Sequence, residues 1–251
     1  MAEPLLTVEN VSKRFGGLLA VDRASFTAEA GRITALIGPN GAGKTTLFSI
    51  ITGFQAPTEG RIRYDSAEIT GEPPHKLARR GIARTFQIVQ PFAGLTVREN
   101  IAVGSHLHRS RRADALEAAT EVGKAVDLGG LLDKPASALT VAGRKRLELA
   151  RALAIEPRLL LLDEVLAGLN PSEVRDMVPV IRAIASRGTT IVMIEHVMQA
   201  VMSLAEHVYV LLEGRIIADG TSRAVAGDPH VVEAYLGRGA ASRMTGGPAH
   251  V

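Results

Sequence analysis

Cysteine is absent from the 251-residue chain, which rules out disulfides and thiolate metal sites. Any metal must be held through oxygen or imidazole, and the absence fits a reducing compartment. A strong charge of one sign is missing too: 29 Lys and Arg stand against 26 Asp and Glu, for a net charge of +3. The cations are spread along the chain, and short clusters such as Arg109-Ser110-Arg111-Arg112 read as solvated faces, so no nucleic-acid partner is expected. No stretch comes near the roughly 18 apolar residues that a membrane-crossing helix needs. The start, Met1 to Leu6, has neither a basic n-region nor a long apolar h-region, so the chain is expected to be soluble when isolated. Internal repeats are lacking as well. What is present is apolar material, 46% of residues, enough to bury a substantial core.

Hydrophobic patterning divides the chain. Leu6–Val11, Leu18–Val21 and Ala24–Ala28 have short-strand character, punctuated at Gly16-Gly17 and Ala30-Gly31. Arg32–Ile37 reads as a strand and Thr46–Ile51 as a helix, followed by strand-like Arg61–Tyr64 and Ile82–Phe86. Val97 to Leu132, rich in alanine, leucine and charge, reads as an inserted helical lobe. From Arg144 helix and strand alternate: helix to Ile155, strand Leu159–Leu162, helix Pro171–Ser186, strand Thr190–Ile194, helix Met198–Ala205, strand Val208–Leu212. Such alternation implies a parallel sheet. The helix from Pro171 is specified in detail, with Asn170 to cap it, proline at the first position and Glu173 placed for a capping box. Val174, Met177, Val178, Ile181, Ile184 and Ala185 then form a core-facing stripe. Gly237–Val251 has no periodic pattern and is expected to be a disordered tail.

Four elements carry the chemistry. Gly38-Pro39-Asn40-Gly41-Ala42-Gly43-Lys44-Thr45 matches GxxxxGK[ST] between a strand and a helix, the context a phosphate loop requires. Its glycines let amide groups turn inward around phosphates, and the helix N-terminus adds a positive dipole end. Lys44 supplies a point charge to the β- and γ-phosphates, the Thr45 hydroxyl suits magnesium, and Thr46 is expected at the α-phosphate. The apolar run Leu159 to Leu162 delivers Asp163, suited to hold magnesium through water, and then Glu164, placed to orient and polarise an attacking water. Gln87 and His196 are uninformative alone and gain meaning from their order in the chain. The expected fold is α/β: a P-loop NTPase core with a parallel sheet, an N-terminal antiparallel β subdomain and an inserted α-helical subdomain. The expected domain spans 5–236, with the helical part at about 88–157.

From about Leu6 to Leu236 this order resembles the nucleotide-binding subunit of ABC transporters. The resemblance implies ATP and Mg2+ as cofactors, with catalysis by Glu164, His196 and Gln87, and magnesium held by Thr45, Gln87 and Asp163. Phe15 matches the position that stacks on adenine, Gln87 the Q-loop, His196 the switch histidine, and Ala167-Gly168-Leu169-Asn170 the D-loop. Leu139-Thr140-Val141-Ala142-Gly143 falls on the usual LSGGQ signature, with Thr for Ser, Ala for the second Gly and Gly for Gln. Thr140 keeps a hydroxyl that can cap the following helix, whereas the methyl of Ala142 is tolerable only if its φ is negative. By this resemblance Thr140, Ala142 and Gly143 contact the nucleotide of a second ATPase subunit. The departures point to an unequal heterodimer, with a homodimer as the alternative.

Within the family the wording is most similar to ATPase subunits of branched-chain amino acid importers, through Gly81–Gln87, Leu95–Asn100, Arg146–Arg151, Ala167–Pro171 and Val232–Gly237. That implies transmembrane permease subunits as partners, a periplasmic or extracellular solute-binding protein acting indirectly, and a peripheral position on the cytoplasmic face of the membrane. Lipid or lipopolysaccharide export by a similar subunit, and ABC ATPases outside transport, remain open. The latter would need a coiled coil or a second ATPase module.

Overall fold

The computed structural model describes residues 4–87 and 90–236. Two long strands, β1 (Pro4–Phe15) and β2 (Leu18–Glu29), lead into β3 (Ile33–Ile37) and α1 (Lys44–Ile51). Then come β4 (Glu59–Tyr64), β5 (Ala67–Glu68), α2 (Pro74–Arg79) and β6 (Ile82–Arg84), followed by the helices α3 (Val97–Ser105), α4 (Arg112–Ala125) and α5 (Val141–Leu153). The remainder alternates: β7 (Leu159–Asp163), α6 (Pro171–Ser186), β8 (Thr190–Ile194), α7 (Met198–Leu204), β9 (His207–Leu212), β10 (Arg215–Gly220), α8 (Ser222–Ala226) and α9 (Pro229–Leu236). The expected tail, Gly237–Val251, lies outside the described residues.

Two sheets result. One is antiparallel, in the order β2-β1-β4-β5; the other runs β10-β9-β3-β8-β7-β6, with every pairing parallel except that of β10 on β9. The four leucines of β7 follow from this layering. Leu160 and Leu162 belong to the core beneath α3–α7, whereas Leu159 and Leu161 belong to the core shared with α1 and the antiparallel sheet. Ile191 and Met193 of β8 divide from Val192 and Ile194 in the same way. Side chains on a strand alternate between faces, so a strand covered on both sides reads as an unbroken apolar run.

Several local expectations need correction. The two short strands expected at Leu18–Val21 and Ala24–Ala28 form one strand, β2, whose pairing with β1 shifts register between Val21 and Ala24, where Arg23 takes a φ of 48°. An irregularity of this kind bends a strand without ending it. Thr85 and Phe86 lie beyond β6, and α5 starts at Val141 because Thr140 caps it. In α6 the Asn170–Glu173 capping box is formed, with Val180 buried on the core stripe and Val178 only half-buried. The strands β5 and β10 and the helices α2, α8 and α9 have no counterpart among the sequence expectations.

Candidate nucleotide-binding site

All five residues of β3 are buried, which fixes where the chain leaves the sheet. The loop that follows is sterically confined at two glycines. Gly38 has φ 154°, and a Cβ there would stand 2.0 Å from the Leu211 carbonyl oxygen; Gly43 has φ 103°, and a Cβ would stand 2.3 Å from that of Ala20. Gly43 is also the N-cap of α1 and offers no side chain to the helix amides, and the first turn carries no acid. The helix end therefore stays free for an external anion. Lys44 is buried, and its ammonium donates to the carbonyls of Gly38 at 2.7 Å and Pro39 at 2.9 Å. Burial lowers its pKa, while Glu164 and Asp163 oppose that shift.

In front of this helix lies an open cleft of about 530 Å³. Of the residues expected to bind nucleotide, Phe15, Asn40, Gly41, Ala42, Gly43, Lys44, Thr45 and Thr46 line it, joined by Gln87, Glu164 and His196. Leu18 and Ala20 line it too, unforeseen because nothing in a short β-run singles them out. Phe15 stands at the end of β1, 44% exposed. The Lys13 ammonium lies 5.2 Å from its ring centroid. An apolar ring held at the rim of a phosphate-binding cleft can carry a flat base.

Three loops bring the polar groups together. Glu164 follows β7 with φ 51°, and its amide donates to the Ile194 carbonyl at 2.9 Å, which ties it to the end of β8. Both of its carboxylate oxygens are engaged: Oε2 accepts from Gln87 Nε2 at 2.6 Å, and Oε1 lies 2.7 Å from His196 Nε2. Glu195, beside His196, is buried and accepts the Leu166 amide at 2.9 Å through Oε1. Burial pushes its carboxyl up to about 7, against the amides of Leu166 and His196.

Asp163 lies one residue deeper and is 1% exposed. Its Oδ2 accepts from Arg84 at 2.7 Å, whereas Oδ1 has no partner among the described residues. Arg84 also donates to Ser49 of α1, so one guanidinium braces the strand end against the phosphate-loop helix. Arg84 lies within the Gly81–Gln87 stretch with no role of its own legible in the sequence, and Glu195 falls outside every motif there; their only signal is proximity to Gln87 and His196. A magnesium ion fits the donors present. The Thr45 hydroxyl and the Gln87 side-chain oxygen are hard oxygen donors on the cleft, with Gln87 engaging Glu164 through its nitrogen; the unpartnered Asp163 Oδ1 is a third, buried behind the cleft rather than lining it. Among the described residues no group of three or more His, Cys, Asp or Glu forms a metal cage, so phosphate and water would complete the shell.

The third expected cluster stands apart, since none of Thr140, Ala142 and Gly143 lines the cleft. Thr140 caps α5 by accepting the Gly143 amide at 3.1 Å. Ala142 sits in the first turn with a negative helical φ, so its methyl introduces no backbone strain.

A family profile described as ABC transporter matches residues 21–167, well over half of the chain. The chain belongs to the ABC transporter family. A second profile, described as branched-chain amino acid ATP-binding cassette transporter, matches residues 215–241. The high-affinity branched-chain amino acid transport ATP-binding protein BraF of Pseudomonas aeruginosa is 41% identical, over 94% of this chain and 99% of that protein. LivG of Escherichia coli, of the same description, is 38% identical over the same shares. A crystal structure of the ADP conformation of an ABC-transporter cassette superposes with a TM-score of 0.86 at 33% identity, covering 94% of this chain and 100% of that one. As a member of this family the chain is an ATPase, and the cleft between Phe15 and the Lys44 loop is its candidate nucleotide site. Among the described residues no helix is long and apolar enough to cross a membrane.

Proposed function

We propose that this protein is the ATP-hydrolysing subunit of an importer for branched-chain amino acids or similar small polar solutes. It works on the cytoplasmic face of the membrane, opposite a second ATPase subunit and beneath permease subunits fed by a solute-binding protein. The observation that carries the reading is the meeting of Gln87, Glu164 and His196 in front of the Lys44 loop. The cargo rests on the descriptions of BraF and LivG.

The phosphate tail lies along the open end of α1, with Lys44 turned from its loop carbonyls toward the β- and γ-phosphates and the base against Phe15. Glu164 orients a water whose oxygen bonds to the γ-phosphorus as the bond to the β–γ bridging oxygen breaks, leaving ADP and phosphate. His196 holds the carboxylate at Oε1, and Gln87 holds Oε2 through its amide nitrogen, which leaves the Gln87 side-chain oxygen open to other partners. Thr45, Asp163 and Gln87 would hold magnesium, which supplies charge neutralisation for the transferring group when bound. The Ala142 methyl brings no strain and Thr140 keeps its cap, so the ground left for an unequal pair is Gly143 in place of the usual Gln, which would make this chain's signature serve the partner's nucleotide less well than the reverse.

A groove on the other side of Gln87 is the surface we assign to the permease. It encloses about 250 Å³ between α2, β6, α3 and α5 and is mostly apolar. Phe54 and Phe86 meet edge-on across it at 5.6 Å, both exposed, with exposed Val103 nearby. Phe86 adjoins Gln87 in the chain, so a permease helix seated there would feel the state of the catalytic pair. The deciding experiment purifies the assembled complex with its binding protein and measures ATP hydrolysis against a panel of small solutes. Stimulation by leucine, isoleucine or valine supports the reading. Co-purification with a single lipid-handling membrane protein, and no response to any solute, overturns it.

A further inference from the structure

Helix α5 meets the catalytic loops through a face that its capped first turn does not account for. Lys145 is 7% exposed, and its ammonium donates to the Glu164 carbonyl at 3.0 Å and reaches that of Gln87 at 3.4 Å. Three residues on, Glu148 accepts the Phe86 amide at 3.3 Å, and three further, Arg151 donates to the Gln90 carbonyl at 3.1 Å. Positions three apart share a helix face, so one face of α5 grips the chain on both sides of Gln87.

An ammonium in such a place is costly unless it is satisfied, and no carboxylate lies within ion-pairing distance of it among the described residues. Its charge instead opposes the upward shift that burial gives two carboxyls, those of Glu148 on its own helix and of Glu195 after β8. Its hydrogen bonds go to the main chain of the two residues whose side chains bond each other, Gln87 and Glu164. A lysine present only to neutralise charge has no need of that pair of acceptors.

We propose that Lys145 is a positioning residue that fixes the main chain of Gln87 and Glu164 to the helix begun by Thr140. Lys145 lies five positions beyond that cap, about 7.5 Å along a stiff rod. Movement of the α5 N-terminus against a partner's nucleotide is therefore passed to this subunit's own carboxylate. The inference rests on the reading of the chain as one half of a paired ATPase.

The test compares the wild-type complex with Lys145→Met, which keeps length and removes the donors, and Lys145→Arg, which restores them. Nucleotide binding, kcat, KM and thermal midpoint are measured for each. The expected result is a fall in kcat of about ten- to a hundredfold for Met, with KM within about threefold and binding kept, and recovery with Arg. Lys145→Gln, a neutral donor, is expected to lie between them, and it carries the comparison if Met does not assemble. Parental kcat in Met or Gln sinks the inference alone. A loss shared equally by Met, Gln and Arg and tracking the thermal midpoint also sinks it, because that is what a merely structural lysine would give. A wild-type complex that binds but never hydrolyses ATP removes the reading beneath it as well.

Discussion

Helices α1 and α5 both begin at turns matched to phosphate motifs, yet only one is equipped to hold an anion by itself. The start of α1 is capped by Gly43, which contributes no side chain, and Lys44 lies beside it with its ammonium on loop carbonyls that a phosphate can replace. The start of α5 is closed by Thr140, and its three basic residues are committed elsewhere: Arg144 to the Leu139 carbonyl, Lys145 to the catalytic loops, Arg146 to Asp127. A helix dipole contributes about 0.3–1 kcal/mol toward an exposed anion, too little to bind nucleotide unaided. On the proposed reading, the second motif would act on a phosphate already gripped by a first.

That contrast can be broken in graded steps. Glu164→Gln removes the negative charge beside the α1 site and keeps its shape; turnover is expected to fall about 10²–10⁴-fold with nucleotide binding preserved, as read by steady-state hydrolysis and nucleotide titration. Arg84→Ala strands the buried Asp163 carboxylate and is expected to cost about 3–5 kcal/mol, measured by urea unfolding of the isolated chain; a loss under 1 kcal/mol would mean that Asp163 does not depend on its partner. Lys44→Ala should weaken nucleotide binding by about ten- to a hundredfold, the value of a charged hydrogen-bonding group. Thr140→Ala, at the other helix, should lower stability by only about 1 kcal/mol and leave nucleotide affinity of the isolated chain unchanged. Equal losses of affinity at Lys44 and Thr140 would erase the distinction between the two helix ends.

Much of this arrangement is legible in the sequence, for reasons that can be named. The phosphate loop is contiguous, so its spacing carries its meaning, and Leu159–Leu162 announces a strand covered on both faces. The groups that join the loops to one another are not legible. In Arg144-Lys145-Arg146 three cations lie about 100° apart around a helix, and which one turns inward depends on a phase fixed by the Thr140 cap. Arg84 is one cation in a short strand until the fold brings Asp163 to it from 79 residues away. The gap expected between Val21 and Ala24 is not a strand end, because Asp22-Arg23 sits at a register shift that the neighbouring strand accommodates.

Phe15 offers a practical handle. The chain contains no tryptophan, so Phe15→Trp would place a solitary indole at the half-exposed lip of the cleft. Excited beyond the absorption of the chain's tyrosines, it would be the sole emitter, and an adenine ring settling on it should quench or shift that light, turning the protein into its own optical gauge of occupancy.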